Sequence, residues 1–494
     1  MKIELISKGK LDISQSDLSK LQRDTLDDLQ LKPVLKIMSQ DKQYLQAVVL
    51  KTWFSPLVNK DAVVYRQKAV IDAMSHQEQI NQLYQLVTNT IEEAKQGNWA
   101  FDSSSSSYQL LSSSLEIKVF LKSVKQIIKF TDSNWKSQNF LHFFKLLNEK
   151  FAAQRFKEMN DILNLIISDK KKSYPVQLKR DFSGNVQELE YEPNINSVTK
   201  LFNSLKNHYE KKEFKFTIAE RDNNALNALA ENDNQAKYGL AIEVTNTANE
   251  FENFFNELRF QLAFLLSVNN LNTYLKTKKI STIFPIVSKR TNIKNLKNTT
   301  LQIKMDNVEK VIGNDLKSKQ LSLLVISGAN QGGKTTYLIS LGQSQIMMAS
   351  GMFVTAQKYC SPLYKRVFTH FKREEDPNLR NGKLVDELKK MQEIVNQVKP
   401  ASLVLMNESF SATNEHEGSQ INAQVISGLV NSCVTVLVVT YQFEVTKMLS
   451  LHSDIQPIFL RPDRNDNGNR DFKMHTGLPS KTSYGLDIFN KFFK

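Results

Sequence analysis

The fold of the carboxyl-terminal part of the chain is decided by LSLLVISGANQGGKTTYLIS, residues 321–340. The first half of this stretch is an apolar run of the kind that forms a buried strand, and the second half has the composition of a helix. Between them, GANQGGKT (Gly328 to Thr335) matches the pattern G-x-x-x-x-G-K-[ST] in full. Its glycines let the backbone curl so that N–H groups point at phosphate oxygens, beside the positive end of the following helix. The stretch therefore predicts a phosphate-binding loop (P-loop).

Each residue of the P-loop is a candidate ligand of a nucleotide, with ATP and Mg²⁺ as the expected cofactors. The Lys334 ammonium is expected to reach the β- and γ-phosphates, and the Thr335 hydroxyl is expected to bind Mg²⁺. The predicted nucleotide-binding residues are Gly328, Ala329, Asn330, Gln331, Gly332, Gly333, Lys334, Thr335 and Thr336. The alternative is a chance match, which the strand-like run before the motif and the helical run after it disfavour.

Strand-like and helical runs alternate from about residue 280 onwards. Strands are predicted at 321–328, 352–356, 402–406 and 434–440. A clear helix begins after Gly382 and stops before Pro400. Its apolar stripe consists of Leu384, Leu388, Met391, Val395 and Val398. Strands interleaved with helices predict a largely parallel, doubly wound sheet.

The chain before this region, from about residue 15 to 280, is predicted to be mostly helical. One predicted helix face consists of Ile80, Leu83, Tyr84, Val87 and Ile91. A serine-rich stretch, Ser103–Ser107 and then Ser112–Ser114, predicts a flexible loop, and the alternating segment 174–194 predicts a small hairpin. The fold class is therefore multidomain, α followed by α/β. The predicted domains are a short amino-terminal segment (1–35), a helical domain (36–285) and an α/β domain (286–494).

A second chemical signal stands where the predicted strand 402–406 continues into Asn407 and Glu408. A P-loop ATPase needs an acidic pair here, one carboxylate for Mg²⁺ and one to orient the attacking water. Asn407 is an amide, which can bind Mg²⁺ through a water molecule but brings no negative charge. Glu408 is the candidate general base and, with Lys334, a predicted catalytic residue. The alternative is a domain that binds nucleotide without hydrolysis, in which Glu408 only caps the following segment.

These motifs resemble those of the MutS family of DNA-repair ATPases. The P-loop is similar to the family's GPNMGGKSTYL, and SLVLMNES (Ser402–Ser409) is similar to its SLVLLDEI. The family's signature loop, GRGTSTYDG, has its counterpart in FSATNEHEG (Phe410–Gly418). Further similar segments are Trp53–Val70 and Asn256–Leu271, which resemble parts of the helical core, and Lys481–Ile488, which resembles the carboxyl-terminal K-S-Y-G-L. The ordered set carries the resemblance, since the P-loop alone is shared with other ATPases.

The resemblance implies a long helical core or lever domain followed by a P-loop ATPase domain of the ABC type. It also implies a homodimer in which the signature loop reaches the partner's nucleotide. In such a dimer Ser411, Thr413 and Asn414 would donate hydrogen bonds to the γ-phosphate in trans. The alternative is a solvated loop that caps the helix starting near Glu417.

Two departures from the family's pattern imply slow hydrolysis. Asn407 replaces the aspartate that binds the metal, and Tyr441 stands where the family has a histidine that contacts the γ-phosphate. The resemblance therefore leaves two functions open. One is an ATP-driven DNA clamp of repair or recombination, and the other is a regulatory or scaffold protein that binds nucleotide with little or no turnover.

Charge and length bear on the partner. Sixty-five Lys and Arg residues against 51 Asp and Glu give a net charge of +14, which favours polyanions such as DNA. Lys118, Lys122, Lys125 and Lys129 lie on one predicted helix face that could follow phosphates, although such a stripe can equally be solvated. The core-like segment begins near residue 40, which leaves no room for the family's mismatch-reading domain. Duplex or branched DNA, without mismatch selectivity, is therefore the expected partner.

The remaining composition concerns the compartment. The two cysteines, Cys360 and Cys433, exclude a disulfide framework and a zinc site built from cysteines. No apolar run of about 18 residues occurs, so no membrane span is predicted. A cytoplasmic, nucleoid-associated protein is expected.

Overall fold

The structure is a computed structural model. It describes residues 2–9, 12–13, 17–96, 106–168, 176–180, 186–191, 223–328, 331–372, 382–451, 456–464 and 470–477. The chain divides into two compact units. The first, the helical unit, comprises Met1–Ile3 and Glu78–Leu262, and the second, the sheet unit, comprises Glu4–Gln77 and Ala263–Lys494. A helical amino-terminal region followed by an α/β region confirms the coarse fold class.

The described helices and strands have these bounds. The α-helices are α1 (Lys20–Asp28), α2 (Lys32–Ser39), α3 (Gln43–Phe54), α4 (Lys60–Ser75), α5 (Gln77–Gln96), α6 (Ser106–Ile128), α7 (Gln138–Lys150), α8 (Ala153–Ser168), α9 (Asn223–Thr277), α10 (Thr299–Lys304), α11 (Lys334–Ala349), α12 (Lys383–Gln397), α13 (Glu415–Asn431) and α14 (Phe443–Leu451). The strands are β1 (Val176–Arg180), β2 (Val186–Tyr191), β3 (Ile286–Val287), β4 (Thr291–Leu296), β5 (Asn314–Ser318), β6 (Leu323–Ile326), β7 (Lys358–Ser361), β8 (Val367–Phe371), β9 (Leu403–Asn407), β10 (Thr435–Val439), β11 (Ile458–Arg464) and β12 (Arg470–Thr476).

The helical unit confirms the predicted amphipathic pattern. The stripe on α5 is buried at Ile80, Leu83, Val87 and Ile91, as a 3.6-residue period requires. Aromatic side chains fill the core beside α6, where Phe120 lies 4.9 Å from Phe255 between ring centroids. The predicted hairpin at 174–194 is present as the antiparallel pair β1–β2.

The prediction of a loop at Ser103–Ser107 and Ser112–Ser114 was wrong where the structure describes these residues, because Ser106, Ser107 and Ser112–Ser114 lie inside α6. The Ser114 hydroxyl donates to the Leu110 carbonyl over 2.6 Å, and the Ser113 hydroxyl shares a hydrogen bond of 2.9 Å with Thr245 of α9. Both serines are buried. One hydroxyl bonds to a carbonyl of α6 itself and the other to a side chain of α9, so the serines do not interrupt the helix here. Ser103–Ser105 lie outside the described residues.

A six-stranded sheet with the order β12-β11-β6-β10-β9-β8 forms the centre of the sheet unit. Neighbours from β11 to β8 are parallel, and β12 is antiparallel to β11. In the register, Val439 pairs with both Ile326 and Asn407. The carboxyl ends of β6, β10 and β9 are therefore level. In a parallel α/β sheet this edge is where ligands bind.

The predicted strand at 352–356 was wrong, and β8 was not predicted. Val354 forms only an isolated bridge with Ile283. The run is buried, but it directly follows the turn after α11, where Gly351 has φ +73°. A short buried apolar run has no periodicity that separates a strand from a packed turn. The other three predicted strands correspond to β6, β9 and β10.

A second, four-stranded sheet has the order β3-β7-β4-β5. Its inner face packs on α11, where the Gln345 amide donates to the Tyr359 hydroxyl over 2.9 Å and to the Ser361 hydroxyl over 2.7 Å. From the same helix, the Tyr337 hydroxyl donates to the Asp315 carbonyl over 3.1 Å. Burial raises the pKa of Tyr337 well above its ordinary value, so this hydroxyl stays a donor. The small sheet is thus fixed to the helix that follows the P-loop.

The compact units follow a different division from the predicted domains 1–35, 36–285 and 286–494. Helices α1 to α4 belong to the sheet unit, because their polar groups bond to its strands and helices. Thr369 of β8 donates to the Asp28 carboxylate over 2.7 Å, and Lys390 of α12 lies 3.1 Å from the same carboxylate. Gln343 of α11 donates to the Leu29 carbonyl over 2.9 Å. These hydrogen bonds join segments more than 300 residues apart in sequence, so composition along the chain could not reveal them.

Candidate nucleotide-binding site

The P-loop begins where β6 ends and closes onto the first turn of α11. Gly328 has φ +118° and Gly333, the N-cap of α11, has φ +82°. Both values lie in the region that glycine adopts readily and other residues avoid. A Cβ on Gly328 would also come within 3.1 Å of Pro462. The glycines are therefore required by the curl of the loop, while Ala329 and Asn330 lie outside the described residues.

Lys334 is buried, and its ammonium group points into the P-loop. Its side chain is only 5% exposed, and its ammonium donates to the Gly328 carbonyl over 2.8 Å. A buried ammonium is unfavourable unless anionic or carbonyl oxygens surround it. Phosphate oxygens bound in the curl would be stronger acceptors than this carbonyl. Binding of the β- and γ-phosphates by Lys334 stays a prediction.

Thr335 and Asn407 meet at the level edge of the sheet. The Thr335 hydroxyl donates to the Asn407 side-chain oxygen over 2.9 Å. Both groups are hard oxygen donors, which suit Mg²⁺ directly or through water. Among the described residues, no group of three His, Cys, Asp or Glu could hold a metal ion. A magnesium ion here would therefore depend on these two oxygens together with substrate phosphates, and the residues present fit that arrangement.

Glu408 is held at the sheet edge by its backbone. It has φ +54°, unusual for a residue with a side chain, and its N–H donates to the Val439 carbonyl over 2.9 Å. Such backbone strain is concentrated at functional sites. Within the described part of the chain, the Glu408 carboxylate forms no hydrogen bond or ion pair, and the residue is partly exposed. A carboxylate in this state is available to a water molecule.

A buried hydrogen-bonded group, formed by His370, Ser409 and the Glu387 carbonyl, adjoins Glu408; we call it the polar lock. The Ser409 hydroxyl donates to the His370 carbonyl over 2.8 Å, and it lies 2.7 Å from the His370 Nδ1. The His370 Nε2 lies 2.9 Å from the Glu387 carbonyl. Since a carbonyl only accepts, this nitrogen carries a proton. The sequence offered no signal for this lock, because its residues come from β8, α12 and the segment after β9.

Glu387 and Phe410 continue this lock towards the signature loop. Phe410 is buried, has φ +58° and stacks on the His370 ring at 5.1 Å between centroids. Burial raises the pKa of the Glu387 carboxyl, and a hydrogen bond from the Phe410 N–H together with the charge of Lys372 partly opposes this rise. The turn that carries Glu408 is thus fixed from both sides.

Two polar side chains of the signature loop form hydrogen bonds with the first turn of α13. Asn414 is the N-cap of α13, with its side-chain oxygen accepting from the Glu417 N–H over 2.9 Å. The Thr413 hydroxyl donates to the Glu417 carboxylate over 3.1 Å. The Ser411 hydroxyl is shielded from solvent and has no hydrogen-bond partner in the described structure. A Cβ on Gly418 would lie 2.4 Å from the Phe410 carbonyl, so only glycine fits there.

Sequence reasoning missed the β11–β12 hairpin, which packs on the P-loop. The Phe472 ring lies 3.5 Å from the position of a Cβ on Gly333. Asn314 of β5 holds the hairpin by accepting from the Met474 N–H over 2.7 Å and donating to the Phe472 carbonyl over 3.2 Å. The signal was available, since two short runs flank the turn-forming residues NDNGN at 465–469.

Two further predictions concern Tyr441 and the lysine stripe of α6. Tyr441 follows β10 and is 43% exposed. The lysine stripe of α6 is largely occupied by neighbours within its own unit. Lys118 donates to Asn164 over 2.9 Å, Lys122 lies 3.7 Å from the Glu93 carboxylate, and the Lys125 ammonium lies 5.9 Å from the Phe156 ring centroid. These interactions favour the solvated-stripe alternative over phosphate binding.

Two family models match most of the chain. Residues 58–278 match the MutS2 N-terminal domain, and residues 324–492 match MutS domain V. The second match contains the P-loop from Gly328 onwards, Asn407, Glu408 and the signature loop. It also covers Lys481–Ile488, which lie outside the described residues.

Curated relatives each match about a third of the chain. MutS protein homolog 4 of Mus musculus is 26% identical over 183 residues, which is 36% of this chain and 19% of the relative. The Homo sapiens protein of that name is 25% identical over 36% of this chain and 20% of the relative. Endonuclease MutS2 of Thermus thermophilus is 28% identical over 34% of this chain and 22% of the relative. Each match thus spans about a fifth of the relative's length.

None of the helices in the described part of this chain has the length and apolar character needed to cross a membrane.

Proposed function

Because this chain belongs to the MutS family, we propose that it is an ATP-dependent DNA-binding protein of DNA repair or recombination. ATP binding and hydrolysis at the P-loop would open and close a clamp on DNA. The observation that carries the proposal is the meeting of Lys334, Thr335 and Asn407 at the level carboxyl edge of β6 and β9. That edge also presents Glu408. The ABC-type P-loop ATPase fold is part of the same proposal.

Each residue of the edge has a distinct task in this proposal. The backbone N–H groups of the P-loop and the Lys334 ammonium bind the phosphates, and Thr335 with Asn407 holds Mg²⁺. Mg²⁺, when bound, neutralises charge on the phosphate oxygens. Glu408 orients a water molecule and accepts its proton. The lock formed by His370 and Ser409 keeps the Glu408 turn in place.

The active unit in this proposal is a homodimer. Ser411, Thr413 and Asn414 would donate to the γ-phosphate bound by the partner. The Asn414 oxygen caps α13 but leaves its amide N–H groups to a second acceptor. The Ser411 hydroxyl has unused hydrogen-bonding capacity, and the loop must shift to expose it.

DNA, duplex or branched, is the proposed partner, and the cytoplasm with its nucleoid is the proposed location. The net charge of +14 supports a salt-dependent attraction to phosphates. ATP would shift the equilibrium between two arrangements of the clamp only to the extent that it binds one of them more tightly.

A second candidate function is nucleotide sensing with little or no turnover. It is favoured by the amide at Asn407, whose hydrogen bond with Thr335 provides no negative charge for the metal. Such a protein would signal to a partner through its conformation.

One experiment separates the two functions. Steady-state ATP turnover is measured for the purified chain with Mg²⁺, with and without a DNA duplex of about 40 base pairs, and with the Glu408→Gln variant as the matched control. The proposed function predicts turnover that DNA changes and that the variant loses. Nucleotide binding with equal, negligible turnover of both proteins would establish the sensor instead.

A further inference from the structure

The outer face of the four-stranded sheet carries an unbalanced positive charge. Along β4, β5 and β7 the residues alternate between a buried inner face and an exposed outer face. The outer face presents Lys294, Lys317 and Lys358, all exposed. Further exposed cations follow or precede the strands at one end of the sheet, namely Lys289, Arg290 and Lys319. We call these six residues the basic face.

Two lysines of the basic face stand directly opposite each other. Lys294 of β4 pairs with Lys358 of the antiparallel strand β7. Directly opposed side chains start about 4.5–5.5 Å apart at their Cβ atoms, and like charges there destabilise a sheet. Lys317 is diagonal to Lys294, since it pairs with Asn292 of β4. Three ammonium groups therefore share a small area with no gain from one another.

The acidic groups of this face do not neutralise it. Asp315 is the carboxylate on the outer face of β5, and it accepts from the Asn295 N–H over 2.8 Å. Among the described residues, the six cations of the basic face take part in no ion pair. The α6 stripe is the internal contrast, because Lys118, Lys122 and Lys125 each have a polar, acidic or aromatic partner.

We propose that the basic face, on the unit that holds the P-loop, binds the phosphate backbone of DNA; this rests on the proposed DNA-binding function. A phosphate between Lys294 and Lys358 would turn their repulsion into two attractive interactions. Lysines supply point charges that follow a backbone without reading sequence, and DNA is the polyanion that presents phosphates in a regular row.

The basic face is also rigidly backed by the P-loop helix. Tyr359, the neighbour of Lys358, bonds to Gln345 of α11, and Asp315, two residues from Lys317, accepts from Tyr337 of α11. A rigid platform loses little conformational entropy when it binds. DNA on this face would lie against the layer that carries Lys334, the lysine of the phosphate site.

The test measures how DNA binding depends on salt. Wild type, Lys294→Gln/Lys358→Gln and a matched control, Lys389→Gln/Lys399→Gln, are compared by fluorescence anisotropy with one duplex of about 30 base pairs. The control removes the same charge from two other exposed positions of the sheet unit. Losing two phosphate contacts should reduce the slope of log K against log salt by about 1.8. At about 0.15 M salt the affinity should fall on the order of tenfold to a hundredfold, while the control stays near wild type.

Thermal unfolding without DNA is the check on folding. The Lys294→Gln/Lys358→Gln variant should unfold at or above the wild-type temperature, since the substitution relieves repulsion. Competition with poly-glutamate tests an acidic protein as the occupant instead. A folded variant whose slope of log K against log salt equals that of wild type would refute DNA binding by the basic face. A variant that loses only the interaction with poly-glutamate would refute it as well. Absence of DNA binding by wild type at low salt would instead refute the proposed function itself.

Discussion

The P-loop edge and the signature loop differ in where their polar side chains find hydrogen-bond partners. At the P-loop edge, Lys334 and Thr335 follow β6 and Asn407 ends β9, and β10 lies between these two strands of the sheet. In the signature loop, the polar groups of Thr413 and Asn414 bond to the first turn of their own helix. Folding of one chain can assemble a site made in cis. If the signature loop acts on a partner's nucleotide, as proposed, its groups would keep these local partners until a dimer forms.

The largest expected effect breaks the cis side of this comparison. Lys334→Ala removes the buried ammonium of the P-loop, and we expect ATP affinity to fall by about a hundredfold or more, with no turnover. Hydrogen bonds to charged groups contribute about 1.5–3 kcal/mol each, and in the proposed function this lysine would contact two phosphates. Isothermal titration with a non-hydrolysable ATP analogue measures the loss. Lys389→Ala, an exposed lysine of α12, is the control, and unchanged affinity of Lys334→Ala would refute the P-loop assignment.

The second effect concerns Glu408, the proposed base at the same edge. Glu408→Gln keeps the size of the side chain and the backbone bond to Val439. We therefore expect analogue affinity to stay within about twofold of wild type. Hydrolysis should fall on the order of 10²–10⁴, the usual contribution of a positioned proton acceptor. Single-turnover kinetics with ATP measure it, and turnover at the wild-type rate would exclude Glu408 as the base.

The two regions were also unequally predictable from sequence. The P-loop, β9 and the stripe of α12 are local patterns, and their spacing alone indicated strand, loop and helix. The packing of α1 on β8 through Asp28, and the lock between His370 and Ser409, join distant segments through single polar interactions. No local period encodes such interactions. The serines inside α6 and the turn at 352–356 misled because composition and apolarity do not specify where a side chain finds its partner.

The third effect tests the trans side. Ser411→Ala removes a buried hydroxyl that has no hydrogen-bond partner in the described structure. The free energy of unfolding should therefore stay the same or rise slightly, because an unsatisfied buried polar group is unfavourable. If the loop shifts to donate to the partner's γ-phosphate, turnover should fall about tenfold to a hundredfold. Chemical denaturation and steady-state turnover are measured on the same preparation. Unchanged turnover would remove Ser411 from the trans site.

The fourth effect sharpens the cis side. Asn407→Asp keeps the oxygen that accepts from Thr335 and adds one negative charge. A unit charge about 4 Å from a divalent cation contributes about 2 kcal/mol in a water-like dielectric. The Mg²⁺ concentration for half-maximal turnover should therefore fall by roughly thirtyfold, with a rate equal to or above wild type. Titration of turnover with Mg²⁺ measures it, and Asn407→Ser is the control that adds no charge. A folded but inactive Asn407→Asp protein would show that the site depends on the amide.

The smallest effect decides what Asn414 does. Its side-chain oxygen caps α13, so Asn414→Ala should lower the free energy of unfolding by about 1 kcal/mol. Asn414→Asp keeps a capping oxygen at a helix amino terminus, where a negative charge is favourable. Its free energy of unfolding should therefore equal that of wild type or be slightly higher. In the proposed dimer the two variants would differ at the partner's nucleotide, because aspartate lacks the amide donor and brings a charge that repels phosphate. A trans role therefore predicts that Asn414→Asp is stable yet turns over several-fold more slowly than wild type at protein concentrations where the dimer forms. A variant that is both stable and as fast as wild type would leave Asn414 as a helix cap alone, and the signature loop would then lack its amide donor to the partner.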